Sequence, residues 1–273
     1  MKIYNYELKT QTKNNYIKMK IKKRYGWVPS LPDHRNYEYE SLVSLPKIVL
    51  PKSVDLRPHM PPVYDQGNLG SCTANAIAGA LEYLQIKKGD TKYFMASRLF
   101  IYYEERVLEG TVNSDSGAMI SDGMKVVNKK GAPPASDWAY VISKFKNKPP
   151  TKAYTDGLKY TTKVYMTVKQ DLTSMKTCLA NGDPIVIGFT VYDSFESDSV
   201  AKTGIVPMPA KTESVLGGHA VLIAGYDDAT QRFLVRNSWG DTWGIKGYFT
   251  IPYAYFTNPK LASDLWVVRD ENI

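Results

Sequence analysis

The chain has 273 residues, 43% of them hydrophobic and 23% charged, enough for one large domain or two lobes around a shared cleft. No apolar run reaches the roughly 18 residues of a membrane-crossing helix, and two cysteines make no disulfide framework. The formal charge of +8 sits almost wholly in residues 1–24, where Lys2, Lys9, Lys13, Lys18, Lys20, Lys22, Lys23 and Arg24 face only Glu7. The rest is nearly neutral and offers no nucleic-acid-binding face, so any such contact would be weak and confined to residues 1–24.

Along the chain, residues 1–51 read as a basic extension, with Pro29, Pro32, Pro46 and Pro51 preventing a long helix. The alternating Ile17-Lys18-Met19-Lys20-Ile21 is strand-like and could lie extended in a cleft or along a sheet edge. No secretory leader is legible in the first 24 residues, which have no continuous apolar stretch. With few cysteines, this suggests a reducing site, cytoplasmic or inside a particle such as a virion, over a secreted or lysosomal one. From about residue 53 to 160 the pattern is helical: Ile77, Leu81 and Leu84 form one stripe, and 97–107 and 117–128 look like further helices. Beyond residue 160 the spacing predicts strands at 163–168, 185–191, 219–226, 233–237 and 248–251, with one helix near 172–180. Helices followed by strands imply an α+β protein: a helical lobe over 52–160 and a β-rich lobe over 161–273.

The chemistry concentrates at three places. Cys72 follows Gly70-Ser71 and opens an Ala-rich helix, where the positive end of the helix dipole and unpaired N–H groups favour a thiolate. Gln66, six residues earlier, could aim an amide N–H at a developing oxyanion together with the Cys72 backbone N–H. Of three histidines, His34 and His59 lie in Pro-rich, exposed-looking stretches, whereas His219 opens a buried strand after Gly217-Gly218. A hairpin turning at Asp228 would bring Asn237 nearly opposite His219, so the Asn oxygen can hold one imidazole nitrogen and leave the other for the thiol.

Gln66-Gly67-x-x-Gly70-Ser71-Cys72, Gly218-His219-Ala220 and Asn237-Ser238-Trp239-Gly240, with Trp243-Gly244 and Gly247-Tyr248, resemble the signature segments of the papain (cathepsin-like, C1) cysteine peptidases. The match covers about residues 52–270, and the Cys-to-His separation falls in that family's range of about 130–150 residues. The resemblance implies a two-lobed fold, with a helical left lobe and an antiparallel, barrel-like right lobe meeting at the cleft. It implies hydrolysis of polypeptide substrates through an acyl-enzyme, with Cys72 as nucleophile, His219 as base, Asn237 orienting it, and no cofactor or metal. Gln66 would complete the oxyanion hole, and Trp239 would shield the His219–Asn237 bond from water. Gly117 would pair with the substrate backbone; Gly70, Ser71, Met119 and Gly218 would border the substrate. Ala118, Met119, Gly218 and Ala220 lie where the family's main side-chain pocket is bordered, so a bulky apolar residue two places before the cut is expected.

There are departures. Thr73 stands where most members carry Trp, and Leu69 replaces a usual disulfide cysteine. No spare histidine pair exists for the occluding loop of dipeptide-releasing relatives, so an endopeptidase is expected. Cys178 reads as core packing. The N-terminal segment is expected to act as an intramolecular inhibitor of a zymogen. The alternatives are an inactive papain-like binding protein, which would normally have lost one of the three residues, and a thiol acyltransferase.

Overall fold

The computed structural model describes residues 24–42, 49–89 and 93–269; the Ile17–Ile21 stretch and residues 1–23 lie outside these. The elements run β1 (Trp27–Val28), α1 (Tyr39–Leu42), β2 (Ser53–Asp55), α2 (Cys72–Lys87), α3 (Arg98–Leu108), β3 (Ala118–Met119), α4 (Ile120–Lys129) and α5 (Thr151–Gly157). Then follow β4 (Val164–Thr167), α6 (Leu172–Ala180), β5 (Ile185–Tyr192), α7 (Asp198–Thr203), β6 (Val215–Asp227), β7 (Arg232–Arg236), β8 (Tyr248–Pro252), α8 (Tyr253–Phe256) and β9 (Ala262–Arg269). This is an α+β fold whose helices come first and whose antiparallel sheet comes last, as the sequence implied.

The main sheet has the order β4-β9-β5-β6-β7-β8, with β2 paired to β6. Edge strands β4 and β8 do not pair with each other, so the expected barrel-like sheet stays open. Helix α2 packs against β5, β6 and β9, and one apolar cluster runs from Trp27 through α2 and the sheet to Val268. The apolar stripe expected on α2 is real but understates it: every residue from Cys72 to Leu84 is buried, polar ones included. A helix buried all round must satisfy its polar groups internally. Asn75 donates to the Ser71 carbonyl (2.8 Å) and accepts from Arg98 (2.7 Å), whose guanidinium lies over the rings of Tyr64 (4.4 Å) and Tyr140 (4.1 Å). Glu82 accepts from the Ala96 amide at 2.7 Å. The Phe189 ring, fully buried, meets those of Phe195, Phe249, Tyr255, Phe256 and His219. Deleting such a side chain costs about 3–5 kcal/mol and would loosen the wall behind His219.

The described part of the N-terminal segment is built into this body. Trp27 and Tyr39 belong to the common core. The Tyr39 hydroxyl donates to Asp183 (2.7 Å), which also holds Arg269 (2.5 Å). Strand β9 went unforeseen: Asp264 breaks its alternation at φ +68°, and its register against β5 shifts between Val186 and Gly188.

Candidate active site

Each candidate residue is placed by a junction between elements. Cys72 is the first residue of α2, and its sulfur is fully buried. Burial pushes its thiol up to about 12, against the opposing pull of the Ala220, Gly26 and Thr73 amides. Two of these contacts are informative, because Ala220 follows His219 and Gly26 belongs to the N-terminal segment. The helix start therefore does favour negative charge, but with water excluded the desolvation cost is larger.

His219 sits fully buried in β6, and its Nε2 lies 2.8 Å from Asn237 Oδ1. The same Asn oxygen accepts from the Ser238 amide at 2.8 Å, which fixes the side-chain amide. Trp239 stacks on the imidazole with ring centres 5.1 Å apart. The hairpin that brings the two together is not the regular one expected about Asp228. Asp227 pairs with Arg232 and Leu222 with Arg236, with a register shift between Ile223 and Gly225 and Gln231 in a left-handed turn at φ +54°. That offset makes His219 and Asn237 diagonal rather than opposite, still within reach of these side chains.

Gln66 is fully buried in the loop before α2. Ser238 Oγ donates to its Oε1 (2.5 Å), and its Nε2 donates to the Leu69 carbonyl (2.9 Å) and the Arg24 carbonyl (3.3 Å). Gly70 donates its amide to Asp115 (3.0 Å), and the Ser71 hydroxyl meets that of Tyr140 (2.6 Å). Gly117 holds φ +75°, and both it and Gly70 lie against Gly26: a Cβ on Gly26 or Gly117 would collide with backbone, and one on Gly70 would press on Asp115 Oδ1 at 3.0 Å. The Ala118 amide donates to the Gly26 carbonyl at 2.7 Å, and Met119 follows it in β3, its own amide held by Glu109 (2.8 Å). Gly218 lies under Trp27. The sequence candidates thus converge on one cleft, and residues 24–28 lie in it.

The occupants went unrecognised in the sequence. Tyr25 stands edge-on to His219 (6.0 Å) and bonds Glu196 through its hydroxyl. Arg24 pairs with Asp115 (2.8 Å). Trp27 pairs in parallel with Ala118 and rests on Gly188 and Gly218. A glycine between two aromatic residues at the end of a basic stretch was the available signal. His34 and His59 are exposed, Cys178 is buried in α6, and Leu69 is packed into the core. Thr73 donates to the fully buried Glu105 of α3 at 2.9 Å, a contact that ties α2 to α3 where the family usually places an indole.

The sequence profile of the papain family cysteine proteases matches residues 50–265. The chain belongs to the papain family. A peptidase C1-like protein of Acanthamoeba polyphaga mimivirus is 40% identical over 274 residues, covering 92% of this chain and 88% of the relative. The crystal structure of xylellain, a cysteine protease from Xylella fastidiosa, superposes with a TM-score of 0.84 at 41% identity, over 94% of this chain and 100% of that one. The proform of cathepsin B from Trypanosoma congolense shares the fold, with a TM-score of 0.71 at 17% identity over 90% of this chain and 87% of that one. As a papain-family member the chain is a cysteine-type peptide hydrolase. Among the described residues no helix is long and apolar enough to cross a membrane.

Proposed function

We propose that this chain is an endopeptidase in which Cys72 attacks the substrate carbonyl, His219 takes and returns the proton, and Asn237 holds the imidazole. The single observation that carries the reading is the His219–Asn237 bond of 2.8 Å beside a helix-starting cysteine whose sulfur meets the neighbouring Ala220 amide. In the acylation step the thiolate adds to the carbonyl carbon, and the oxygen's negative charge develops toward the Gln66 Nε2 and the Cys72 amide. The amine then leaves with the proton from His219, and water drawn by the same imidazole releases the acid. Trp239, stacked on the imidazole, limits water at the His219–Asn237 bond. Gly70, Ser71, Gly117, Met119 and Gly218 would border the bound substrate chain.

The full-length chain is, in the same proposal, a zymogen held by residues 24–28. Two observations support this. The Arg24 carbonyl reaches the Gln66 amide that an oxyanion would use, and the Gly26 amide lies at the Cys72 thiol. The segment thus covers the nucleophile. Residence inside a cell or packaged in a particle belongs to the proposal too, supported by the mimivirus relative and by two buried, free thiols.

Cys72→Ser should reduce peptide hydrolysis by at least about 10³-fold with an unchanged melting temperature, whereas Cys178→Ser should keep most of it. Both variants are to be assayed after removal of the N-terminal segment, on a peptide library read by mass spectrometry. Retained turnover in Cys72→Ser would sink the assignment; a library left intact by the wild type would favour a binding protein.

A further inference from the structure

Asp115 lies in the loop before β3, with 11% of its side chain accessible. Its Oδ1 accepts from the Gly70 amide (3.0 Å) and from the Tyr102 hydroxyl (2.5 Å). Burial and the adjacent carboxylate keep that hydroxyl protonated, and its oxygen also accepts from the Gly117 amide at 3.2 Å. One carboxylate oxygen and one phenol thus join Gly70, in the loop before α2, to Gly117, at the entry to β3. The Asp115 Oδ2 accepts from the Gly70 amide at 3.2 Å and pairs with the Arg24 guanidinium at 2.8 Å. The joint is stiff. Tyr102 and Arg106 stand one turn apart on α3, and the fully buried Arg106 donates to the carbonyls of Tyr102 (3.1 Å), Val112 (2.7 Å) and Ser114 (3.2 Å). Those bonds clamp the Asp115 loop to the same turn of α3. No disulfide does this work: both cysteines are free, and Leu69 stands beside Gly70 where the family usually carries a disulfide cysteine.

The two glycines wall a narrow channel, and Gly26 runs between them. A Cβ on Gly26 would meet the Gly70 carbonyl, and one on Gly117 would meet the Gly26 carbonyl, which accepts from the Ala118 amide. We propose that Asp115 is a positioning residue for hydrolysis: through Tyr102 it sets the distance between the Gly70 and Gly117 walls and so seats the substrate backbone at Cys72. The proposal rests on the peptidase reading above, because the chain that follows Gly26 into this channel is then the substrate. The two oxygens divide the work. Both donors on Oδ1 belong to the body and stay whichever chain fills the channel. Oδ2 loses Arg24 when the segment leaves, so the joint outlasts the cover. A carboxylate suits this place because it accepts from several sides at once, and its charge strengthens each bond. Misplacing a bound chain by about 1 Å is enough to cost about 10²-fold in rate.

The test labels the full chain with iodoacetamide and, separately, with a pool of dipeptidyl chloromethyl ketones varied at the first residue. In each case the Cys72 thiolate forms a bond to carbon and displaces iodide or chloride, and mass spectrometry reads the rate. Both reagents need the cover open and the same thiolate, so these factors cancel in the ratio of peptide to iodoacetamide labelling. Only the peptide needs the channel. We expect Asp115→Ala to lower that ratio at least ~10-fold. Tyr102→Phe keeps the Gly70 bond and cuts the link to Gly117, and should lower the ratio in the same direction. Asp115→Asn keeps an acceptor at Oδ1 and cannot accept from Arg24 at Oδ2, so its ratio should match the wild type however far the cover loosens. Melting temperatures show which variants fold, and Tyr102→Phe and Asp115→Asn carry the test if Asp115→Ala does not. An unmoved ratio in folded Asp115→Ala or Tyr102→Phe overturns the proposal, and so does a ratio in Asp115→Asn that falls at least ~10-fold. If iodoacetamide labels Cys72 in every form while the peptide pool labels none, the peptidase reading falls and the proposal falls with it.

Discussion

Cys72 illustrates how far a residue's neighbours decide its chemistry. Its place at the start of a helix was legible from Gly70-Ser71 and the Ala-rich run behind it, and that place favours a thiolate. What the sequence could not give was the cover, because Gly26 is forty-six residues away along the chain. With Gly26 and Tyr25 over the site, burial holds the thiol neutral, raised to about 12. The sign follows. At pH 7–9 the full-length chain should alkylate slowly at Cys72, and the rate should go on climbing through pH 10 without a plateau. Once the segment is displaced, solvent and the His219 imidazolium should let the plateau fall to neutral pH or below, toward the thiolate values of about 3–4 seen in Cys–His pairs. Mass-resolved iodoacetamide rates from pH 5 to 10 decide this, with Cys178 as the internal control; identical profiles for the two forms would contradict it. The same raised value adds stability that is fully present below the unfolded thiol's ordinary value of about 8.5 and is lost as pH rises toward 12. Gln66, His219 and Asn237 were equally legible, since short motifs carry them. Asp264 was not, because nothing near Ser263-Asp264-Leu265 marks a residue whose importance comes from facing Trp27 across the fold.

At the scale of elements, hydrophobic spacing found α2, α3, α6 and the strands β4 to β8; all but β4, where Met166 alone is buried, have a buried face to read. It missed β1 and β3, which are two residues long and exist only because they pair with each other. Such strands have no period of their own to read. Their junction is sterically narrow: a Cβ on Gly26 would run into the Gly70 backbone, and one on Gly117 into the Gly26 backbone. Gly26 therefore supports a prediction that the cleft glycines cannot, because it belongs to the covering segment and not to the body. Gly26→Val should force residues 24–28 out, Trp27 with them, while leaving α2 and the sheet folded. Turnover of a peptide substrate by the uncut variant, normalised by active-site titration, should rise at least ~10-fold over uncut wild type, as a tethered blocker near millimolar effective concentration loses its fit. Unchanged turnover would mean that residues 24–28 do not restrain the site.

The whole molecule shows where the covering segment ends. The family match begins only at residue 50, and the prolines before it prevent a long helix without saying where the extension is cut. The fold narrows this, since the extension is anchored twice. Trp27 and Ser30 hold one end through Asp264. The other end is held where the Thr167 amide donates to the Tyr37 carbonyl (2.8 Å) and Tyr39 sinks completely into the core beside Asp183 and Arg269. Between these anchors Leu31, Pro32, His34 and Arg35 are exposed, and Leu31 is 76% accessible. Proteases need an exposed stretch they can draw into extended form, and exposed tethers between packed anchors supply it. Cutting between residues 31 and 36 would free the covering segment yet leave Tyr39 in place. Cutting past Tyr39 would also strip a buried aromatic and its hydrogen bonds from the body, at a cost of about 3–5 kcal/mol. We expect limited proteolysis of the full-length chain to give a stable product starting at residues 32–37, with peptide turnover rising as that product forms. N-terminal sequencing along the time course, paired with the activity of each sample, measures both. A first stable product that starts beyond Tyr39 and keeps its melting temperature would show that the second anchor contributes nothing to the body.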